Sequence, residues 1–154
     1  PVKIETDFIG IQHFYPPTLS TEADTPMGAA IEQGLELLRQ RKDTYKANGI
    51  SYYRPWVFLI TDGGPTDSIV RASQLIREGE SSKSFMFFSV GVEGANFEAL
   101  KDLSVREPLK LRGLRFRDLF QWLSASLSTV SRSQVTDAPE LENPTAPEGW
   151  ATAG

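Results

Sequence analysis

A chain of 154 residues with 40% hydrophobic and 23% charged side chains has the composition of one compact globular core, which excludes a disordered or fibrous polypeptide. Sixteen Lys and Arg against twenty Asp and Glu leave a net charge of −4, which argues against nucleic acid or an anionic membrane as partner, since both select basic surfaces. The longest apolar run, Trp56–Ile60, is far short of the ~20 residues a bilayer requires, no signal-like segment opens the chain, and no cysteine is present for disulfides, thiolate metal sites or thiol catalysis; the expectation is a soluble, cytoplasmic domain.

After a mixed opening, Val2–Tyr15, and a turn at Pro16–Pro17, the stretch Pro26–Ala47 sets Ile31, Leu35, Leu38 and Tyr45 on one face at helical spacing. Thr25 stands at the N-cap position, Pro26 at the first helical position and Asn48–Gly49 where a left-handed stop is wanted. Trp56–Thr61 is apolar without alternation, as in a parallel strand covered on both faces, and it ends at Asp62. Gly63-Gly64-Pro65 breaks the strand. Asp67 or Thr66 is then expected to cap a helix whose buried side is Ile69, Val70, Ser73 and Ile76, ending before Gly79. A second buried strand is predicted at Phe85–Val92, a short helix capped by Asn96 with Phe97, Leu100 and Leu103 inward, and a brief strand at Leu109–Leu111. The last helix carries the stripe Phe116, Leu119, Phe120, Leu123, Leu127 and Val130. Strand and helix alternate, which predicts an α/β fold: a three-layer, doubly wound (Rossmann-like), mostly parallel sheet with helices on both faces.

Charge separates a body, residues 1–132, from a tail, residues 133–154. The body balances at sixteen charges of each sign, whereas the tail holds Asp137, Glu140, Glu142 and Glu148 with no Lys or Arg. Pro139, Pro144 and Pro147 make the tail extended. Trp150 near its end either docks back on the domain or stays with a free tail.

Ligands of open α/β sheets bind beyond the carboxyl ends of the strands, which is where Asp62 falls. Its carboxylate can hold a hard cation or order that cation's water shell, or it can cap the following turn. Thr25 reaches the same end if its helix starts there; its other role is a simple N-cap worth about 1 kcal/mol. Competing chemistries fail on the letters. No G-x-x-x-x-G-K-[ST] phosphate loop is present, and Gly64 occupies the place where an aspartyl phosphotransferase wants a second acid. His13, the only histidine, has no G-x-S-x-G elbow to work with, and zinc has almost nothing to bind. Oxygen ligands remain.

The segments Asp24-Thr25-Pro26-Met27-Gly28-Ala29-Ala30-Ile31 and Phe58-Leu59-Ile60-Thr61-Asp62-Gly63-Gly64-Pro65-Thr66-Asp67 together resemble the von Willebrand factor A (VWA) domains, in particular the bacterial tellurium-resistance TerY type. Tyr52–Trp56, Phe88–Val92 and Phe120–Ser124 extend the resemblance over about Pro17–Ser131. Such domains carry a metal-ion-dependent adhesion site built from three loops, with Asp-x-Ser-x-Ser in the first, a Thr in the second and an Asp in the third. Residue by residue, the resemblance makes Thr25 the second-loop metal ligand and Asp62 the third-loop ligand, for Mg²⁺ or Mn²⁺, with an acidic side chain of a partner completing the shell. Asp-x-Ser-x-Ser is absent; Asp102-Leu103-Ser104-Val105-Arg106 is the nearest string and lies in the wrong part of the chain. Asp24 also stands where the family usually has Gly.

On that comparison the chain is N-terminally incomplete, starting after the family's central strand and lacking at least about 30 residues, the size of a βαβ unit. The strand at Trp56–Thr61 then needs a neighbour, from a companion chain, a partner copy or Val2–Tyr15. The function implied is a non-enzymatic, metal-assisted protein-interaction module of a bacterial stress system, with kinase-like or phosphatase-like proteins as partners and weak metal binding by this chain alone. The rivals are a metal-dependent phosphohydrolase using Asp62 and a metal-independent scaffold.

Overall fold

In a computed structural model, residues 1–21, 23–134, 139–146 and 149–154 are described. An open sheet of four strands has the order β1 (Trp56–Thr61), β2 (Met86–Gly91), β3 (Leu109–Leu111) and β4 (Ala151–Ala153). The first three strands are parallel, with Trp56 opposite Met86 and Val90 opposite Leu109. β4 closes antiparallel on β3, Leu111 opposite Ala151. The helices are α1 (Met27–Ala47), α2 (Val70–Ser81), α3 (Phe97–Leu103) and α4 (Phe116–Ser131). No helix among the described residues is long and apolar enough to cross a membrane.

Alternation along the strands separates two cores, because successive side chains leave opposite faces of a sheet. Val57, Leu59 and Phe87 point to one face, where α1, α2 and α3 contribute Met27, Ile31, Ile76 and Leu100. Trp56, Phe58 and Val90 point to the other, where α4 supplies Leu119 and Trp122. The absence of polar alternation in Trp56–Thr61 therefore has its cause: its residues face an apolar core on each side of the sheet, although the strand is only half-buried and Ile60 is 39% exposed.

Local punctuation follows chemistry. α1 ends where Gly49 takes φ +65° and the Ile50 N–H returns to the Tyr45 carbonyl. Asn96 caps α3 through its side chain, which accepts from the Ala99 N–H at 3.1 Å. α2 does not stop at Gly79 but runs to Ser81, because Gly79 leaves room for the Phe85 ring; a Cβ there would stand 2.0 Å from a ring carbon. The segment Val2–Tyr15 forms a single 3₁₀ turn, Ile11–His13, and no strand, so it does not extend the sheet beside β1.

α4 departs from the predicted stripe. Leu119, Trp122 and Ser126 are buried, while Phe120 and Leu127 remain 54% and 48% exposed. The helix is rotated by what packs beside it. The Trp122 ring lies between Trp56, 6.3 Å away, and Trp150, 5.6 Å away, and its indole N–H donates to the Glu142 carbonyl. Trp150 is buried at 3% exposure, and Arg112 and Arg115 donate to the carbonyls of Ala146, Ala151 and Gly149 around it. The acidic tail is thus joined to the domain at its end. Asp137, Pro147 and Glu148 lie outside the described residues.

Candidate functional site

Three segments meet at the carboxyl end of β1: the start of α1, the loop Asp62–Ile69, and the turn after β2. The first two are stitched reciprocally. The Thr25 N–H donates to the Thr66 hydroxyl at 3.1 Å, and the Thr66 N–H donates to the Thr25 carbonyl at 2.9 Å. The third is laid over them, with the Asn96 N–H donating to the Gly63 carbonyl and Gly94, at φ +95°, close to the Asp62 carbonyl. A Cβ built on Gly94 would lie 3.2 Å from that oxygen, so a side chain would crowd the loop as well as the backbone.

Thr25 is not the cap of α1. The cap residue is Pro26, which offers no side-chain acceptor, and the helix begins at Met27. The orphan amides of the first turn are taken instead by Asp67, whose carboxylate accepts from the Gly28 N–H at 2.9 Å and the Ala29 N–H at 2.8 Å. Asp67 therefore does not cap the helix that follows it, and neither does Thr66; α2 starts behind Ile69 with no side-chain cap. The contact is close: a Cβ on Gly28 would stand 2.1 Å from the Ser68 carbonyl oxygen. Partial burial, the largest influence on Asp67, favours the neutral acid, but the amides of Ala29 and Gly28, with those of Asp67 itself and Met27, outweigh it. The carboxyl is held below its ordinary value.

This exchange leaves the Thr25 side chain for other work. Its hydroxyl lies 4.0 Å from where a Gly63 Cβ would be, next along the chain from Asp62. Asp62 is exposed and makes no hydrogen bond or ion pair to any described residue. The structure thus brings both sequence-predicted ligands to one loop cluster. No group of three or more His, Cys, Asp or Glu side chains able to hold a metal occurs among the described residues. Asp102–Arg106 lies at the end of α3, elsewhere in the fold, with the Asp102 carbonyl engaged by Ser73 and Arg77.

A concavity of about 730 Å³ lies elsewhere, between α1 and α2 over Leu35, Leu38, Leu75 and Phe85. Among its rim charges Arg71 pairs with Glu32, Arg39 pairs with Glu36 and Asp43, and Lys42 donates to the Ser84 carbonyl. Another charged cluster surrounds Glu80, 7% exposed in its side chain, gripped by Arg54 and by Nε and Nη2 of Arg106 while the Phe87 N–H donates to it at 2.8 Å. It ties α2 to the amino end of β2, away from Asp62, and reads as structural.

No family model, curated protein or solved structure matches this chain. What defines the molecule is therefore its own fold and geometry: an open, mostly parallel α/β sheet with an exposed carboxylate and a hydroxyl together at the carboxyl end of an edge strand.

Proposed function

We propose that this chain is a VWA-type protein-interaction module of the TerY kind, without catalytic activity, in which Thr25 and Asp62 hold Mg²⁺ or Mn²⁺ for a partner protein's acidic group. The observation that carries the proposal is the transfer of the α1 capping role to Asp67. Thr25 is then left with a hydroxyl that caps nothing, near Gly63, and the preceding residue Asp62 has an exposed carboxylate. A hydroxyl and a carboxylate suit a small hard cation, which keeps most of its water when the protein supplies few ligands, and a water-bearing face is where a second protein can coordinate. The sequence resemblance points to a bacterial stress system, with kinase-like or phosphatase-like proteins as partners.

The test is thermal unfolding with and without about 10 mM MgCl₂. For a dissociation constant near 1 mM, binding adds about 1.4 kcal/mol, or roughly 3–6 °C in Tm for a chain of this size. Wild type should show the rise and Asp62→Ala should not. An equal response in both chains refutes the metal role, and micromolar affinity by calorimetry refutes a two-ligand site. Hydrolysis of p-nitrophenyl phosphate by wild type, lost in Asp62→Asn, would replace the proposal with a phosphohydrolase.

A further inference from the structure

The chain has three asparagines, and they differ in whether the next backbone nitrogen can attack the side chain. Asn143 precedes Pro144, whose nitrogen carries no hydrogen, and Asn96 precedes Phe97 and is occupied in capping α3. Asn48 precedes Gly49, which has no Cβ to crowd the approach, and both residues are exposed at the end of α1. Open space surrounds the glycine: a Cβ built there would meet no heavy atom within 4 Å.

The folded cap holds the reacting groups apart. Asn48 has ψ 8°, which sets the Gly49 nitrogen over the Asn48 nitrogen, whereas a five-membered ring closes only when it stands over Cβ. Three hydrogen bonds keep the backbone there. The Asn48 side-chain amide donates to the Thr44 carbonyl at 2.8 Å, the Gly49 N–H to the Lys46 carbonyl at 3.1 Å, and the Ile50 N–H to the Tyr45 carbonyl at 2.9 Å. The Tyr52 ring, 5.6 Å from that of Tyr45, holds the following segment against the helix. The reactive geometry therefore requires the last turn of α1 to open, and helix ends open more readily than cores.

We propose that Asn48 is a modification site, converted through a succinimide to aspartate and isoaspartate, with opening of the α1 C-terminus as the gate. The Gly49 nitrogen gives up its proton to solvent and bonds to Cγ of Asn48; the Cγ–Nδ2 bond breaks, and the nitrogen leaves as ammonia with a proton taken from water. Water then opens the ring. Cleavage at Cγ restores the chain with an aspartate, and cleavage at the main-chain carbonyl leaves isoaspartate, in which the backbone runs through Cβ and Cγ. Either product makes the chain one charge more negative than −4 and sets that charge at the end of α1 where the helix carbonyls already point. The donor to Thr44 is lost as well, and isoaspartate adds an atom to the backbone between Lys46 and Ile50. A reversible opening becomes a permanent one.

The test is to hold the full chain near neutral pH, natively and in denaturing urea, and to follow each asparagine by peptide mapping, with amide exchange on the native sample. A gain of one mass unit should appear at Asn48 before Asn96 or Asn143. It should be slower natively than in urea by about tenfold or more, because opening gives up three hydrogen bonds. Asn48→Gln keeps the amide on a longer side chain and should not show the gain. Asn48→Asp makes one product directly and should speed exchange of the Gly49 and Ile50 amides while that of Ile31, earlier in α1, is unchanged. A native chain that never gains the mass at Asn48, or gains it first at another asparagine, overturns the site. Equal rates natively and in urea overturn the gate, and neither reading needs a variant to fold. Unchanged exchange in Asn48→Asp overturns the permanent opening.

Discussion

Replacing Asp67 by Ala tests whether α1 is held by a tertiary cap. The carboxylate accepts two first-turn amides, Gly28 at 2.9 Å and Ala29 at 2.8 Å, from 39 and 38 residues away. Gly28 is buried and Ala29 exposed, so the first amide loses its partner outright while water replaces the second. Charged acceptors contribute about 1.5–3 kcal/mol per bond, and cap deletions typically cost ~0.5–2 kcal/mol. About 2 kcal/mol is therefore expected, with a fall in Tm of roughly 4–8 °C for a chain of this length. The sign with pH is fixed because the folded carboxyl titrates below its ordinary value. Its contribution is complete above the unfolded pKa of about 3.9 and disappears as the pH falls through the lower folded value. Urea unfolding at pH 7 and at about pH 3 reads both. A difference between wild type and Asp67→Ala under about 0.5 kcal/mol at pH 7, below the usual range for a lost cap, refutes the tertiary cap. So does a difference that does not shrink in acid.

Two further outcomes concern the ends of the sheet. Glu80→Ala should cost about 3–5 kcal/mol in urea unfolding, because it leaves the Arg54 and Arg106 guanidiniums facing one another and the Phe87 amide unpaired; a loss below 1 kcal/mol would mean that solvent already carries these charges. Trp150→Ala should cost about 3–5 kcal/mol, as expected for a large aromatic side chain removed from a core. It should also release the tail to limited proteolysis, and an unchanged cleavage pattern would show that the Arg112 and Arg115 bonds hold the tail without the indole.

The architecture was legible because parallel strands and amphipathic helices write their burial into the order of residues. Trp56–Thr61 is apolar on both faces and faces a core on each, and Asn96 and Gly49 occupy the caps their chemistry favours. α4 was misread by one flank for a physical reason. Helical spacing shows which residues share a face, but Phe120 and Trp122 are both bulky and apolar, and the choice between them was made by Trp150, arriving from 28 residues beyond Trp122. Glu80 was missed altogether, since an isolated acid in a polar helix looks the same whether it is solvated or gripped by two arginines.

The candidate site divides in the same way. Asp62 could be found by rule, as the residue ending a buried parallel strand, and Thr25 by resemblance, yet neither fact brings the two together. That is done by Thr66 and Asp67, which the sequence presents as ordinary caps for the helix in front of them. A cap chosen locally would have left the start of α1 to Thr25 and engaged the hydroxyl the proposed metal needs. A cap supplied from the neighbouring loop satisfies the helix and leaves that hydroxyl beside Gly63. The arrangement therefore depends on four long-range hydrogen bonds, two between Thr25 and Thr66 and two from Gly28 and Ala29 to Asp67, and on the proposed function it is their strength, not the presence of Thr25 and Asp62 alone, that governs whether one ion can reach both oxygens.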